Sequence, residues 1–172
     1  VAVDQSSARR RRFHLRQTIE ELLVTLQPQF KNTAHRIELA IPPDMELDSY
    51  PGPLEQVLAN LITNGIEALA GSPSGRVSIA TRLHAGPGPA QAAITVSDNG
   101  PGFRRDLLAK AFEPYVTSKA RGTGLGLAIV KRIIDEHGGR IEAENGPEGG
   151  ARVQVLLPVA ASGARVELRR ER

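Results

Sequence analysis

The sequence predicts an α+β fold: a two-layer α/β sandwich whose mixed, mostly antiparallel sheet carries its helices on one face. Three observations lead there. The apolar residues change period along the chain, in the order helix, strand, helix, strand, strand, long loop, helix, strand, strand. Neighbouring strand pairs are joined by short connections, which points to antiparallel pairing. The regular strand–helix alternation of a doubly wound sheet is absent.

Each element has its own signal. Leu15, Ile19, Leu22, Leu23 and Leu26 recur at helical spacing within a helix expected over 15–30, with Pro28 near its end. Residues 36–41 alternate as a strand does, and Pro42-Pro43 closes it. A second helix is predicted over 53–69, where Pro53 suits a first turn and Gly71 and Pro73 stop the run. Strands follow over 76–83 and 92–97, joined by a Gly-Pro segment too long for a two-residue hairpin turn. Residues 98–124 are rich in glycine, proline and charge, and loops of that length inside a domain usually carry function. A helix over 124–137 ends at Gly138-Gly139, and strands over 140–144 and 151–157 complete the order.

The 172 residues suit one domain. Residues 1–12 are expected to be a linker, 13–158 the folded domain and 159–172 a fraying tail. At 40% hydrophobic but 3% aromatic, without Trp, the core must be aliphatic. The absence of cysteine excludes disulfide scaffolds, thiolate metal sites and Cys nucleophiles. Net charge is +3, with basic residues gathered at Arg9 to Arg12 and at Arg169, Arg170 and Arg172. Without interleaved aromatics, these blocks are expected to be solvated ends rather than a nucleic-acid surface. No apolar run approaches the roughly 20 residues of a membrane span, and no direct membrane contact is expected. No signal peptide is visible. The chain opens on Val and is expected to be part of something longer.

The second helix is amphipathic in an unusual way. Leu54, Val57, Leu58, Leu61, Ile62 and Leu69 share a broad face, and Gln56, Asn60, Asn64 and Glu67 form a stripe opposite. Asn is a poor interior helix residue, because its amide competes for backbone hydrogen bonds. Two in one stripe could simply be exposed; they could equally present oxygen to a hard metal ion and nitrogen to a phosphate.

Two glycine-rich segments follow. Ser97-Asp98-Asn99-Gly100-Pro101-Gly102-Phe103 comes directly after a strand. Asp-Asn-Gly is a common turn signal, yet a carboxylate at a strand end can also accept the exocyclic amine of adenine. Gly100 and Gly102 would let main chain approach a flat base. Gly122-Thr123-Gly124-Leu125-Gly126-Leu127 opens a helix and is a plausible polyphosphate cradle. Leu127 stands where a dinucleotide fingerprint needs glycine, and no P-loop lysine is present. Lys119 and Arg121 lie just upstream, where they could neutralise phosphate charge or remain solvated.

In combination these segments resemble the Bergerat-type ATP-binding family of histidine kinases, Hsp90-type chaperones, DNA gyrase B and MutL. The asparagine box reads LEQVLANLITNGIEAL, the first glycine box DNGPGF, the phenylalanine box FEPYVTSK and the second glycine box GTGLGLAIV. All occur in the family's order within residues 13–158, and the likeness is strongest to histidine kinases. The resemblance implies the Bergerat fold, ATP and Mg²⁺. It implies that Asn64 coordinates the metal and Asn60 supports the metal–phosphate site. Asp98 would receive the adenine amine, with Gly100 and Gly102 shaping the base pocket. Gly122, Thr123, Gly124, Leu125 and Gly126 would turn a lid over the phosphates, with Lys119 and Arg121 beside it and Phe112 as its anchor. Glu67 is acidic where some kinases carry a basic residue and receives no role.

One departure selects the subclass. ATPases of the chaperone kind place a water-activating glutamate one turn before the metal-binding asparagine, where this chain has Asn60. An amide is no general base. The resemblance therefore implies the catalytic domain of a two-component sensor histidine kinase, which donates the γ-phosphate to a histidine on an upstream helical dimerisation domain. A Bergerat-type ATPase module and a non-catalytic nucleotide-binding module are the alternatives. None of His14, His35, His84 and His137 sits in a His-Glu or His-Asp phosphoacceptor motif. The acceptor is expected outside this chain, which should be monomeric and barely autophosphorylate. A response regulator would act through the full-length protein, in the cytoplasm or as the cytoplasmic part of a membrane-bound sensor.

Overall fold

Residues 9–84, 87–116 and 126–159 are described by the computed structural model of the chain. In chain order the elements are β1 (Arg11–His14), α1 (Leu15–Leu26), a 3₁₀ turn (Gln27–Gln29), β2 (Arg36–Ala40), β3 (Glu46–Ser49), α2 (Pro51–Ala68), β4 (Arg76–His84), β5 (Gln91–Asp98), α3 (Arg105–Leu108), α4 (Gly126–Glu136), β6 (Arg140–Asn145) and β7 (Ala151–Pro158).

Period-two alternation sorts the main sheet into two faces. Its strand order is β2-β4-β5-β7-β6. β2 runs parallel to β4, and every other neighbouring pair is antiparallel. The register aligns Leu39 with Ile79, Ile79 with Val96, Val96 with Val153 and Val153 with Ala143 across the sheet. A second row aligns Thr81, Ile94, Val155 and Ile141. These rows face the core, where Ile79, Ile94, Val96, Val153 and Val155 are buried. The alternate rows carry Glu38, Ser78, Thr95, Gln154 and Glu142, with exposed ion pairs such as Arg152–Glu144 at 3.2 Å. Such exposed pairs add little stability, but they keep that face polar.

The helices supply the other half of an aliphatic core. On α2 the expected apolar face is buried in full: Leu54, Val57, Leu58, Leu61, Ile62 and Leu69 are each at most 3% exposed. Leu15 and Ile19 of α1 and Val130 and Ile134 of α4 join the same cluster. Pro51 and Pro53 fall in the first turn of α2, where a missing N–H costs nothing. α1 stops at Leu26, two residues before Pro28, and continues only as the 3₁₀ turn.

Two strands and one short helix were not in the sequence-derived order. β1 and β3 form a separate antiparallel ribbon, pairing Phe13 with Leu47 and Arg11 with Ser49. Phe13 and Leu47 are buried beneath it, and Arg10 closes its end through a 3.0 Å bond to Asp48. Each strand has four residues, too few to establish a period alone. α3 adds one turn to the segment read as loop.

Two stability predictions follow from groups whose burial is not fully compensated. Thr81 is 6% exposed, and its hydroxyl oxygen has no hydrogen-bond partner among the described residues. Thr81→Val keeps the branched shape and removes the unmade bond; it should raise unfolding stability by about 1 kcal/mol in denaturant titration. Glu55, on α2, has its pKa raised, first by burial and then by Glu21, against the opposing pull of Arg11. Its ionised form is thus disfavoured in the fold. Glu55 contributes fully below the ordinary glutamate pKa, and that contribution is lost as pH rises through its raised value. Glu55→Gln should flatten the stability profile above about pH 4 and leave the variant more stable than the parent at neutral pH. An unchanged profile would refute the assignment.

Candidate functional site

The asparagine stripe of α2 does not face open water along its length. Gln56 and Glu67 at its ends are exposed, whereas Asn60 and Asn64 between them are half-buried. α4 packs along α2. Its first residue, Gly126, meets Asn64: a Cβ on Gly126 would lie 3.8 Å from both polar atoms of the Asn64 amide, Nδ2 and Oδ1. A helix start carries unpaired N–H groups and partial positive charge. The amide of Asn64 and those N–H groups therefore border one space.

Asp98 approaches α2 from the sheet, at Gly65, the residue after Asn64. Asp98 is the last residue of β5, in register with Val77 on the core-facing rows. Its Oδ1 accepts from the Gly100 N–H at 2.9 Å and from the Ala151 N–H at 3.3 Å. Two main-chain donors from different segments thus set the orientation of the carboxylate. The loop beyond it rests on α2, since a Cβ at Gly100 would stand 2.9 Å from the carbonyl oxygen of Ala68.

Between Asn64 and Asp98 lies Gly65, which the sequence reading passed over. It is buried in the interior of α2, where glycine costs about 1 kcal/mol relative to alanine. A Cβ there would sit 3.1 Å from Val77 Cγ2 and 3.9 Å from Asp98 Cβ. Glycine lets the helix lie close on the end of the sheet. A glycine amid good helix formers was the available signal, obscured because Asn-Gly also reads as a turn.

Two further asparagines were missed in their roles. Asn99 ties the ends of β4 and β5: its Oδ1 accepts from the Arg76 N–H at 2.7 Å, and its Nδ2 donates to the Ser74 carbonyl at 3.1 Å. Asn145, at the end of β6, accepts from the Phe103 N–H at 2.7 Å and donates to the Phe103 carbonyl at 3.0 Å. Gly102, just before that clamp, holds φ at +79°, a left-handed conformation that favours glycine.

Of the other expected site residues, Lys119, Arg121, Gly122, Thr123, Gly124 and Leu125 lie outside the described residues. Phe112 is half-buried; Phe103 is the loop phenylalanine packed against the core cluster. The histidines hold structural or surface positions. The His137 ring meets Tyr50 edge-on at 4.9 Å with its Nδ1 2.8 Å from the Ile133 carbonyl, His14 lies 3.4 Å from Glu46, and His84 is exposed at the end of β4.

The donor set bears on what metal the site could take. No group of three or more His, Cys, Asp or Glu side chains suited to a metal exists among the described residues. Asn64 offers one hard carboxamide oxygen beside helix N–H groups. That fits an ion such as Mg²⁺, which takes few protein ligands and completes its octahedron with substrate phosphates and water.

Comparison with known proteins identifies the family. Residues 50–161 match the family described as histidine kinase-, DNA gyrase B-, and HSP90-like ATPase. The chain is 40% identical over 136 residues to the C4-dicarboxylate transport sensor protein DctB of Rhizobium meliloti (strain 1021), covering 78% of this chain and 21% of that protein. It is 36% identical over 148 residues to the signal transduction histidine-protein kinase AtoS of Escherichia coli (strain K12), covering 84% of this chain and 23% of that one. The chain thus spans little more than a fifth of the length of these relatives. Among solved structures, the nucleotide-free catalytic domain of histidine kinase ThkA superposes with a TM-score of 0.75 at 30% identity, covering 87% of this chain and 95% of that one. The match spans all of α2, Asp98 and the start of α4, and the chain belongs to the histidine kinase-, DNA gyrase B- and HSP90-like ATPase family.

Proposed function

We propose that the chain is the ATP-binding catalytic domain of a two-component sensor histidine kinase, which donates the γ-phosphate of ATP to a histidine on a separate upstream helical domain. The observation that carries this reading is a pair of contacts at neighbouring residues of α2: Gly65 lies against Asp98, and the Asn64 amide lies against the start of α4. A carboxylate accepts hydrogen bonds and cannot donate them. At Asp98 it favours adenine, which offers an amine, over guanine, which offers a carbonyl there. The N–H groups at the start of α4 suit the phosphates, as helix N-termini suit anions generally. Asn64 would supply an oxygen ligand to Mg²⁺, with Asn60 one turn away supporting it. Bound Mg²⁺ would neutralise phosphate charge.

The transfer itself asks little covalent chemistry of this chain. A nitrogen–phosphorus bond forms as the acceptor imidazole attacks, the bond from the γ-phosphorus to the bridging oxygen breaks, ADP leaves and the imidazole releases a proton. Catalysis is then positioning and charge stabilisation. Asn60 supports transfer over hydrolysis, because an amide in place of the glutamate of the chaperone-type ATPases cannot deprotonate water. Gly100 and Gly102 shape the base pocket. Lys119, Arg121 and residues 122–125 enter this reading through the family resemblance alone. The upstream helical domain and, through the full-length protein, a response regulator are the partners. The setting is the cytoplasm, either free or as part of a membrane-bound sensor; among the described residues no helix is long and apolar enough to cross a membrane.

Two measurements test this. Calorimetry with Mg²⁺ should show ATP binding to the parent chain and at least about a tenfold loss in Asp98→Ala, since a hydrogen bond to a charged group is worth about 1.5–3 kcal/mol. Equal affinity would remove Asp98 from the site. A longer protein that includes the upstream helices should incorporate label from γ-labelled ATP, whereas this chain alone should not. Asn64→Asp in that longer protein should alter the Mg²⁺ dependence of labelling, and a superimposable titration would refute the metal role.

A further inference from the structure

The turn after β6 does more than join two strands. Phe103 lies outside regular structure, so no sheet or helix ladder serves its main-chain N–H and C=O. Both are served instead by Asn145, 42 residues away, at 2.7 and 3.0 Å. Among short side chains only a carboxamide carries a donor and an acceptor on one planar head. The fit is mutual: a Cβ at Gly102 would come 2.6 Å from Asn145 Oδ1. The same turn touches the other end of the loop. Gly150, at φ +79°, packs directly on the Asp98 carbonyl, and the Ala151 N–H reaches Asp98 Oδ1. The segment from Asp98 to Phe103 is therefore held at both ends by one turn.

We propose that Asn145 is a positioning residue for base selection: by pairing with both main-chain groups of Phe103 it holds the 98–103 loop in the shape that base recognition requires, and so sets the preference for adenine over guanine nucleotides. This rests on the reading of Asp98 as the adenine acceptor. Asn145 does not touch the nucleotide. Without it the loop samples shapes that do not present Asp98 to the base: ATP affinity falls by the fraction of molecules that leave the competent shape, whereas GTP, which the Asp98 carboxylate disfavours, loses less.

The test compares this chain with its Asn145→Ala variant by calorimetry against ATP and GTP at fixed Mg²⁺, alongside thermal melts. The parent should prefer ATP. The folded variant should bind ATP about tenfold more weakly, as expected for two surface hydrogen bonds lost, with a narrowed ATP-to-GTP ratio and an unchanged Mg²⁺ dependence. Asn145→Asp keeps the acceptor for the Phe103 N–H and removes the donor, and it should show the same loss if the alanine variant fails to fold. A merely structural role would lower the melting temperature and leave the ratio alone. A selective parent with an equally selective variant overturns this inference and leaves the proposed function standing. A folded parent that binds neither nucleotide overturns both.

Discussion

The distance between α2 and the sheet at Gly65 is the constraint on which the rest turns. A methyl group there would press on Val77 at 3.1 Å, tighter than ordinary carbon contacts. Where the buried Val77 side chain cannot give by a few tenths of an ångström, the helix must. Asn64 would move with it, as would the Ala68 carbonyl beneath Gly100. Cores are packed too densely to absorb such a shift locally. One absent side chain thus sets where the amide of Asn64 stands relative to the carboxylate of Asp98.

A division of labour follows from the composition. With scarcely any aromatic residues, the core is a layer of Leu, Ile and Val between the sheet and the helices. Such a layer fixes element positions without polar demands of its own. The polar work is left to its rim, where β5 ends and α4 begins. There main-chain N–H groups orient Asp98, and asparagine side chains pair with main chain at Phe103, Ser74 and Arg76. Three asparagines, Asn64, Asn99 and Asn145, do different things within one neighbourhood. Residue type alone could not separate them.

Membership of this family does not by itself choose an activity, because one fold hosts many chemistries. The family joins kinases, a topoisomerase subunit and chaperones. On the function proposed above, the chemistry at position 60 is what discriminates. A carboxylate there could take a proton from water; the amide of Asn60 can only orient. The buried face of α2 is indifferent to that choice, since Asn60 sits on the half-buried flank away from the aliphatic core.

The sequence by itself determined the α+β class, most of the element order and the core face of α2. These are periodic signals, and each repeats often enough within one element to be read locally. It also singled out Asn60, Asn64 and Asp98 as candidates, the first two because asparagine is a poor helix residue and the third only in combination with the glycine segments. Tertiary structure alone decided the β1–β3 ribbon, because its strands are short and their partners, Phe13 and Leu47, are far apart in the chain. It alone decided the roles of Gly65 and Asn145. A glycine in a helix and an asparagine before a turn carry ordinary local explanations. What distinguishes them is a contact with Val77 in one case and with Phe103 in the other, and such contacts exist only once distant segments have packed.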